Sequence, residues 1–334
     1  MALPPTLTEN VETIGLDEPV VAAAFLGGAP VFALADGTLQ FGDGASGRRI
    51  PVHDDAAILV AAQDGDRFIT GGDDGRVVAT HANGVVETLG DEKGKWIDAI
   101  AARAGAVAWT AGKTARARSA KGEAKSLDLT STSRGLAFFP KGYRLAVAHY
   151  GGATLWFPNA GRPETLAWAG SHLDATISPD GRFLVTSMQE NALHGWRLSD
   201  GKHMRMAGYP GKTRSLSWSH DGKWLATSGA DACIVWPFSG KDGPMGQAPR
   251  ECGVRGAIAT RVAFHPAALV VAIGYDDGLI ILTRLTDGSE ILIRHPAQDP
   301  DRAQISALAW DEKGARLAFG AENGDAGVLT LPKA

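Results

Sequence analysis

Short apolar runs of about five to eight residues alternate with breaks rich in Gly, Asp and Asn along nearly the whole chain. The runs are crowded with Val, Ile, Leu, Phe, Trp and Thr, the residues that favour strands. They are too short for most helices, and no stretch keeps apolar positions at a spacing of 3.6. The pattern also repeats. Trp156, Trp196 and Trp236 stand 40 residues apart, each at the end of a similar phrase. The phrases are LAFFPKGYRLAVAHYGGATLWF, ATISPDGRFLVTSMQENALHGWRL and LSWSHDGKWLATSGADACIVWPF. Each reads as strand, tight turn, strand, polar turn, strand. Gly181, Gly222, Gly278 and Gly314 fall where the turn calls for positive φ, which glycine adopts without a Cβ clash.

Looser copies extend both ways. Downstream are VAFHPAALVVAIGYDDGLIILTRL and LAWDEKGARLAFGAENGDAGVLTL. Upstream are AAFLGGAPVFALADGTLQFGD, ILVAAQDGDRFITGGDDGRVVAT and the degenerate AIAARAGAVAWTAGKTARARS. The phrases quoted above are the fourth, fifth and sixth of eight such units. A short extended segment follows each unit except the last, and Val11–Leu16 has the same texture as these outer segments. Pairing Val11–Leu16 with the final strand, Gly327–Leu331, supplies the missing outer strand. Such units cannot bury both faces alone, so neighbours must cover one another. The expected fold is all-β: a single β-propeller of eight four-stranded blades, closed by that N-terminal strand on the C-terminal blade. Seven blades is the alternative, reached by merging the weak third unit. With no linker or composition break, residues 11–334 read as one domain and residues 1–10 as a loose tail.

The units resemble WD40 repeats over essentially the whole chain. The resemblance implies polar positions inside a blade: a His before the inner strand, a Ser or Thr on the second strand, an Asp in the next turn, and a terminal Trp. His172, Ser187 and Trp196 fit these places in the fifth unit, and Ser228, Asp231 and Trp236 in the sixth. His53 and His295 stand at junctions of the same kind. The Trp-Asp pair of the family is missing: Phe157, Arg197 and Pro237 follow the three tryptophans. The resemblance further implies that partners bind at the rim where inner strands begin. The matching positions are Trp96, Arg134, Leu173, Arg214, Arg261 and Ser306, to within one residue of register. Trp96 lies in the junction GKWIDAI, where exposure and core packing both stay open.

Composition narrows the function. The net charge is −4 with 33 basic and 37 acidic residues, which argues against nucleic acid as a partner. One basic island, Lys113–Lys125, offers either a solvated strand edge or a site for an acidic partner. The two cysteines make neither a disulfide scaffold nor a Cys-rich zinc site. The first residues lack the basic and apolar regions of a secretory signal, and no apolar run is long enough to span a membrane. A monomer in a bacterial cytoplasm is the expectation.

Motif matches fail on context. GYPGKT (Gly208–Thr213) lacks the first glycine of a phosphate-binding loop and leads into a strand. GDGASG (Gly42–Gly47) has dinucleotide-loop spacing but is followed by the extended RRIPVH. Asp73-Asp74-Gly75 and Asp276-Asp277-Gly278 read as turns rather than calcium loops. No histidine or cysteine pair has metal spacing, so no cofactor or metal is expected. The reading is a non-enzymatic scaffold whose partner is a protein or peptide, acidic if the rim arginines act together. The alternative is a propeller hydrolase of lactonase type with a polar or metal site at its axis.

Overall fold

A computed structural model describes residues 5–42 and 47–332. Strands dominate it, with a short 3-10 turn at Thr8–Asn10. Among the described residues no helix is long and apolar enough to cross a membrane. Every sheet is antiparallel with neighbouring strands consecutive in the chain, apart from the N-terminal strand.

Among the described residues the strands form the blades of a single β-propeller, seven in number. Six have four strands, and the seventh has six. The expectation of eight separate blades is therefore corrected to seven. The merger is not at the weak third unit, which makes its own sheet from Ala99–Arg103, Ala106–Ala111, Thr114–Arg118 and Ala124–Asp128. It joins the fourth and fifth units instead. Between them one strand, Glu164–Ile177, pairs through its first part with Leu145–Trp156 and through its last with Phe183–Met188. Tyr150 pairs with Ser171 at the join, beside a shift of register at Gly152.

The predicted N-terminal closure is present. Val11–Gly15 pairs antiparallel with Asp325–Thr330, Val11 opposite Leu329 and Gly15 opposite Asp325. Ile14 and Leu16 are buried by this pairing. Residues 5–10, read as a loose tail, are held where they are described. The Leu7 amide donates to the Leu292 carbonyl, and the Leu292 amide to that of Pro5, a parallel bridge onto the edge of Glu290–Arg294.

By internal contacts the chain divides into two lobes: Val52–Lys212, and the residues up to Pro51 together with those from Thr213 onward. In the Val52–Lys212 lobe each unit lends an apolar face to the next. Ile69 and Val77 pack with Val107 and Trp109, Ala108 and Ala115 with Leu145 and Trp156, and Ala146 and Leu155 with Leu184 and Trp196. In the other lobe Val235 packs with Val271 and Tyr275, Leu282 with Leu317, and Phe25 with Val328. Each fully buried Leu, Ile, Val or Phe contributes about 1.5–3 kcal/mol. The tight turns follow their residues. Asp180 accepts from Ser178 Oγ at 2.6 Å and the Arg182 amide at 2.9 Å, with Gly181 at φ 76°.

Candidate functional site

The candidate site is the end of the sheets where inner strands begin. There a recurring bulge leaves one inner-strand residue unpaired: Leu59, Arg134, Thr260 and Ser306 are each skipped in the ladder. At the fifth unit Leu173 and Asp174 are skipped together. A bulge re-aims the extra side chain and ends regular pairing. Of the positions expected from the sequence, Arg134, Leu173 and Ser306 fall in these bulges.

In the Val52–Lys212 lobe, Trp96 is exposed at 63 %. Its loop is lashed to the turn of the second unit. The Ile97 amide donates to the Gly72 carbonyl at 3.1 Å, and Gly94 to that of Asp74 at 3.1 Å. Gly75, at φ 83°, is needed here: a Cβ would meet the Gly94 nitrogen at 2.7 Å and the Lys95 carbonyl at 2.9 Å. Ile97 is fully buried against Gly71, so the indole is pushed outward by an anchored neighbour.

A chain of hydrogen bonds runs from this loop to the fourth unit. Asp98 Oδ2 accepts the Gly112 amide at 2.8 Å, and the Gly112 carbonyl accepts the Ser133 amide at 3.2 Å. Arg134, next in the bulge, is exposed. Ser131 Oγ accepts the Tyr150 amide at 3.0 Å, and Tyr150 is exposed at 67 %. Beneath Tyr150, the His149 ring bridges the Tyr150 carbonyl at 2.9 Å and Thr154 Oγ1 at 2.8 Å. Leu173, in the adjoining bulge, is half-buried, and its carbonyl would lie 2.6 Å from a Cβ at Gly135. Trp96, Arg134, Tyr150 and Leu173 thus share one face. Sequence reasoning missed Tyr150, although HYGG was the only hairpin turn carrying an aromatic residue beside two glycines among the three best repeats.

The other lobe holds the remaining rim positions. Arg214 is exposed, with its amide bound to Ser228 Oγ at 3.2 Å. Arg261 is placed differently. By register Thr260 takes the bulge position, while Arg261 pairs opposite Gly274 and donates Nε to the Ser306 carbonyl at 2.6 Å. Ser306 is 6 % exposed, and its hydroxyl donates to the Val20 and Gly320 carbonyls. Arg261 and Ser306 are internal ties between strands, not free contacts. Two arginines of the basic island are paired within their own lobe: Arg116 with Glu92 at 3.0 Å and Arg118 with Glu87 at 3.3 Å.

The expected polar positions assemble with other partners. His172 meets Thr186 Oγ1 at 2.7 Å, whereas Ser187 donates to Asp174 at 2.7 Å. Trp196 is buried, with its ring 5.4 Å from that of His172 and 4.5 Å from that of His194. In the sixth unit Trp236 is buried and Ser228 caps two amides, but Asp231 is exposed and Thr213 stands at the His position. The fullest network is in the second unit, where His53 bridges Asp74 at 3.0 Å and Thr70 Oγ1 at 3.0 Å. Burial outweighs the nearby Asp74 charge and lowers the pKa of His53. Burial likewise lowers that of His172, and that of His194 to about 3. His295 is exposed. Residues 43–46, the middle of GDGASG, lie outside the described residues.

Among the described residues no group of three or more His, Cys, Asp or Glu side chains is placed to hold a metal ion. The WD domain, G-beta repeat family matches residues 204–236. No curated protein sequence matches the chain. Among solved structures it is similar to the computationally designed Ika8 protein, with TM-score 0.77 and 19 % identity over 95 % of this chain and 99 % of that one. It is also similar to the Pan2 WD40 domain of Neurospora crassa, with TM-score 0.66 and 13 % identity over 85 % of this chain and 93 % of that one. Residues 204–236 thus match a WD repeat, and the chain as a whole has the β-propeller fold of these structures.

Proposed function

We propose that the protein is a non-enzymatic interaction scaffold that binds a partner protein or peptide at the strand-entrance face of its Val52–Lys212 lobe. The observation that carries this reading is the pair of exposed aromatic residues, Trp96 and Tyr150, on one face with exposed Arg134. Trp, Tyr and Arg are the residue types that most often dominate binding energy. Both aromatics are held by anchored backbone, so little order is lost on binding. Arg134 favours a partner that presents a carboxylate, which it can grip in a bidentate manner. The Asp–His–Thr set of the second unit serves the blade rather than chemistry, because His53 is 1 % exposed.

The test compares capture from the native cell by wild type and by Trp96→Ala/Tyr150→Ala and Arg134→Glu variants. Loss of a hot-spot residue costs about 2 kcal/mol or more, roughly 30-fold in affinity. Partner recovery should fall sharply with both variants. Unchanged recovery removes the reading.

A further inference from the structure

The only two cysteines of the chain face each other across one blade. Cys233 begins the third strand of the sixth unit, Cys233–Pro237, and Cys252 ends its outer strand, Arg250–Cys252. Their register is direct: Cys233 opposite Cys252, Ile234 opposite Glu251, Val235 opposite Arg250. Residues directly opposed in an antiparallel pair share one face, with Cβ atoms about 4.5–5.5 Å apart. A disulfide takes Cβ atoms about 3.5–4.5 Å apart and Cα atoms about 4.4–6.8 Å apart. A small closure of the pair therefore reaches bonding geometry without moving either strand out of register. Both side chains belong to the same apolar cluster, with Ile273 and Tyr275. Both are free thiols in this structure.

We propose that Cys233 and Cys252 are a redox-active pair that closes to a cross-strand disulfide when a small-molecule disulfide such as oxidised glutathione is present. The Cys252 thiolate attacks one sulfur of the oxidant, whose S–S bond breaks and releases a thiolate. Cys233, losing its proton, then attacks Cys252 Sγ and expels the second thiolate. The two protons lost by the cysteines end on the two released thiols, and two electrons pass from the protein to the oxidant. Cys252 acts first because it is the more exposed, at 7 % against 0 % for Cys233.

The surroundings give this step its access and its consequence. The outer strand is three residues long, and Gly253, at φ 66°, follows it, held by a hydrogen bond from the Tyr275 hydroxyl to its carbonyl. Opening of so short an edge exposes both sulfurs together. Burial raises the pKa of each thiol, so neutral solution keeps them protonated and the opening paces the reaction. The bond would close the loop between the two strands, in which residues 239–249 contain no strand. It also fixes the blade's outer edge. A cross-link of this kind stabilises mainly by restricting the unfolded chain.

The test uses the full chain, refolded and equilibrated in glutathione buffers from fully reduced to fully oxidised. Free thiols are alkylated in denaturant and counted by mass. The expected oxidised product is lighter than the reduced protein by two hydrogens, takes no alkylating agent, and melts a few degrees higher. Reductant should reverse both changes. Cys252→Ser and Cys233→Ser should melt at one temperature in every buffer. Two free thiols at the oxidising end, glutathione adducts in place of the internal bond, or an oxidised form that melts lower would each overturn the assignment. A melting shift in the single-cysteine variants equal to that of wild type would do so as well.

Discussion

In the second unit His53 is clamped between Asp74 and Thr70; in the fifth, His172 meets Thr186 and a main-chain carbonyl at 3.2 Å, with Trp196 packed beside it. The second unit has no tryptophan at the matching place. Register puts Thr80 opposite Phe68, as Trp196 is opposite Leu184, and Thr80 is fully buried. One blade is tied by a charge-assisted hydrogen-bond chain, the other by aromatic volume around a more weakly bonded histidine. The repeat thus preserves a place for a histidine while letting packing and polar bonding trade against each other.

The largest break in this comparison is Trp196→Ala. Removing a buried tryptophan costs about 3–5 kcal/mol, and urea unfolding should show that loss. Next is the pair His53→Ala and His172→Ala. The first strands the Asp74 carboxylate and the Thr70 hydroxyl, with a cost of about 2–3 kcal/mol; the second frees Thr186 and a carbonyl, with a cost nearer 1–2 kcal/mol. If His172→Ala proves the more damaging, the division between polar and aromatic blades is wrong.

Acid sharpens the comparison further. His53, His172 and His194 all have folded pKa values below the unfolded value of 6.5. The unfolded chain therefore binds more protons below pH 6.5, so stability is full above that pH and is lost as pH falls. Each histidine contributes a slope approaching about 1.4 kcal/mol per pH unit until its folded pKa is reached. For His194 that range extends down to about 3. Its ring is stacked on Trp168 at 4.1 Å and both ring nitrogens lack a protein partner. His194→Leu should therefore flatten the acid limb measured by thermal melts between pH 7 and 4. An unchanged slope would assign the acid loss elsewhere. The smallest effect is expected at the entrance face. Trp96→Ala and Tyr150→Ala should each change stability by no more than about 0.5 kcal/mol, because neither ring is buried.

Much of this architecture was legible in the chain. The forty-residue spacing of Trp156, Trp196 and Trp236 reports strands that pack the same way in successive units, and VETIG carried the texture of an outer strand that Asp325–Thr330 needed. The fusion of the fourth and fifth units was not legible. It depends on residues 169–171 staying in one strand, with Gly170 at φ 130°, and those residues look like any other junction. The site was half legible. Arg134 follows from position within the repeat, since the entrance bulge recurs, and Trp96 from its junction just before an inner strand. Arg261 lies one residue past its bulge and Ser306 lies within its own, and both side chains bind main-chain carbonyls of neighbouring strands. Asp74 was read only as a turn residue, because the 21 positions separating it from His53 hide their contact. Tyr150 needed the turn geometry to show that its ring faces solvent.

The most direct measurement of the central claim is a hydrogen-exchange footprint of the wild-type protein with and without its captured partner. The account predicts added protection at residues 95–97, 131–135 and 150–152, and little change elsewhere in the Val52–Lys212 lobe. Protection confined to the outer strands, with the entrance segments exchanging as they do in the free protein, would contradict it.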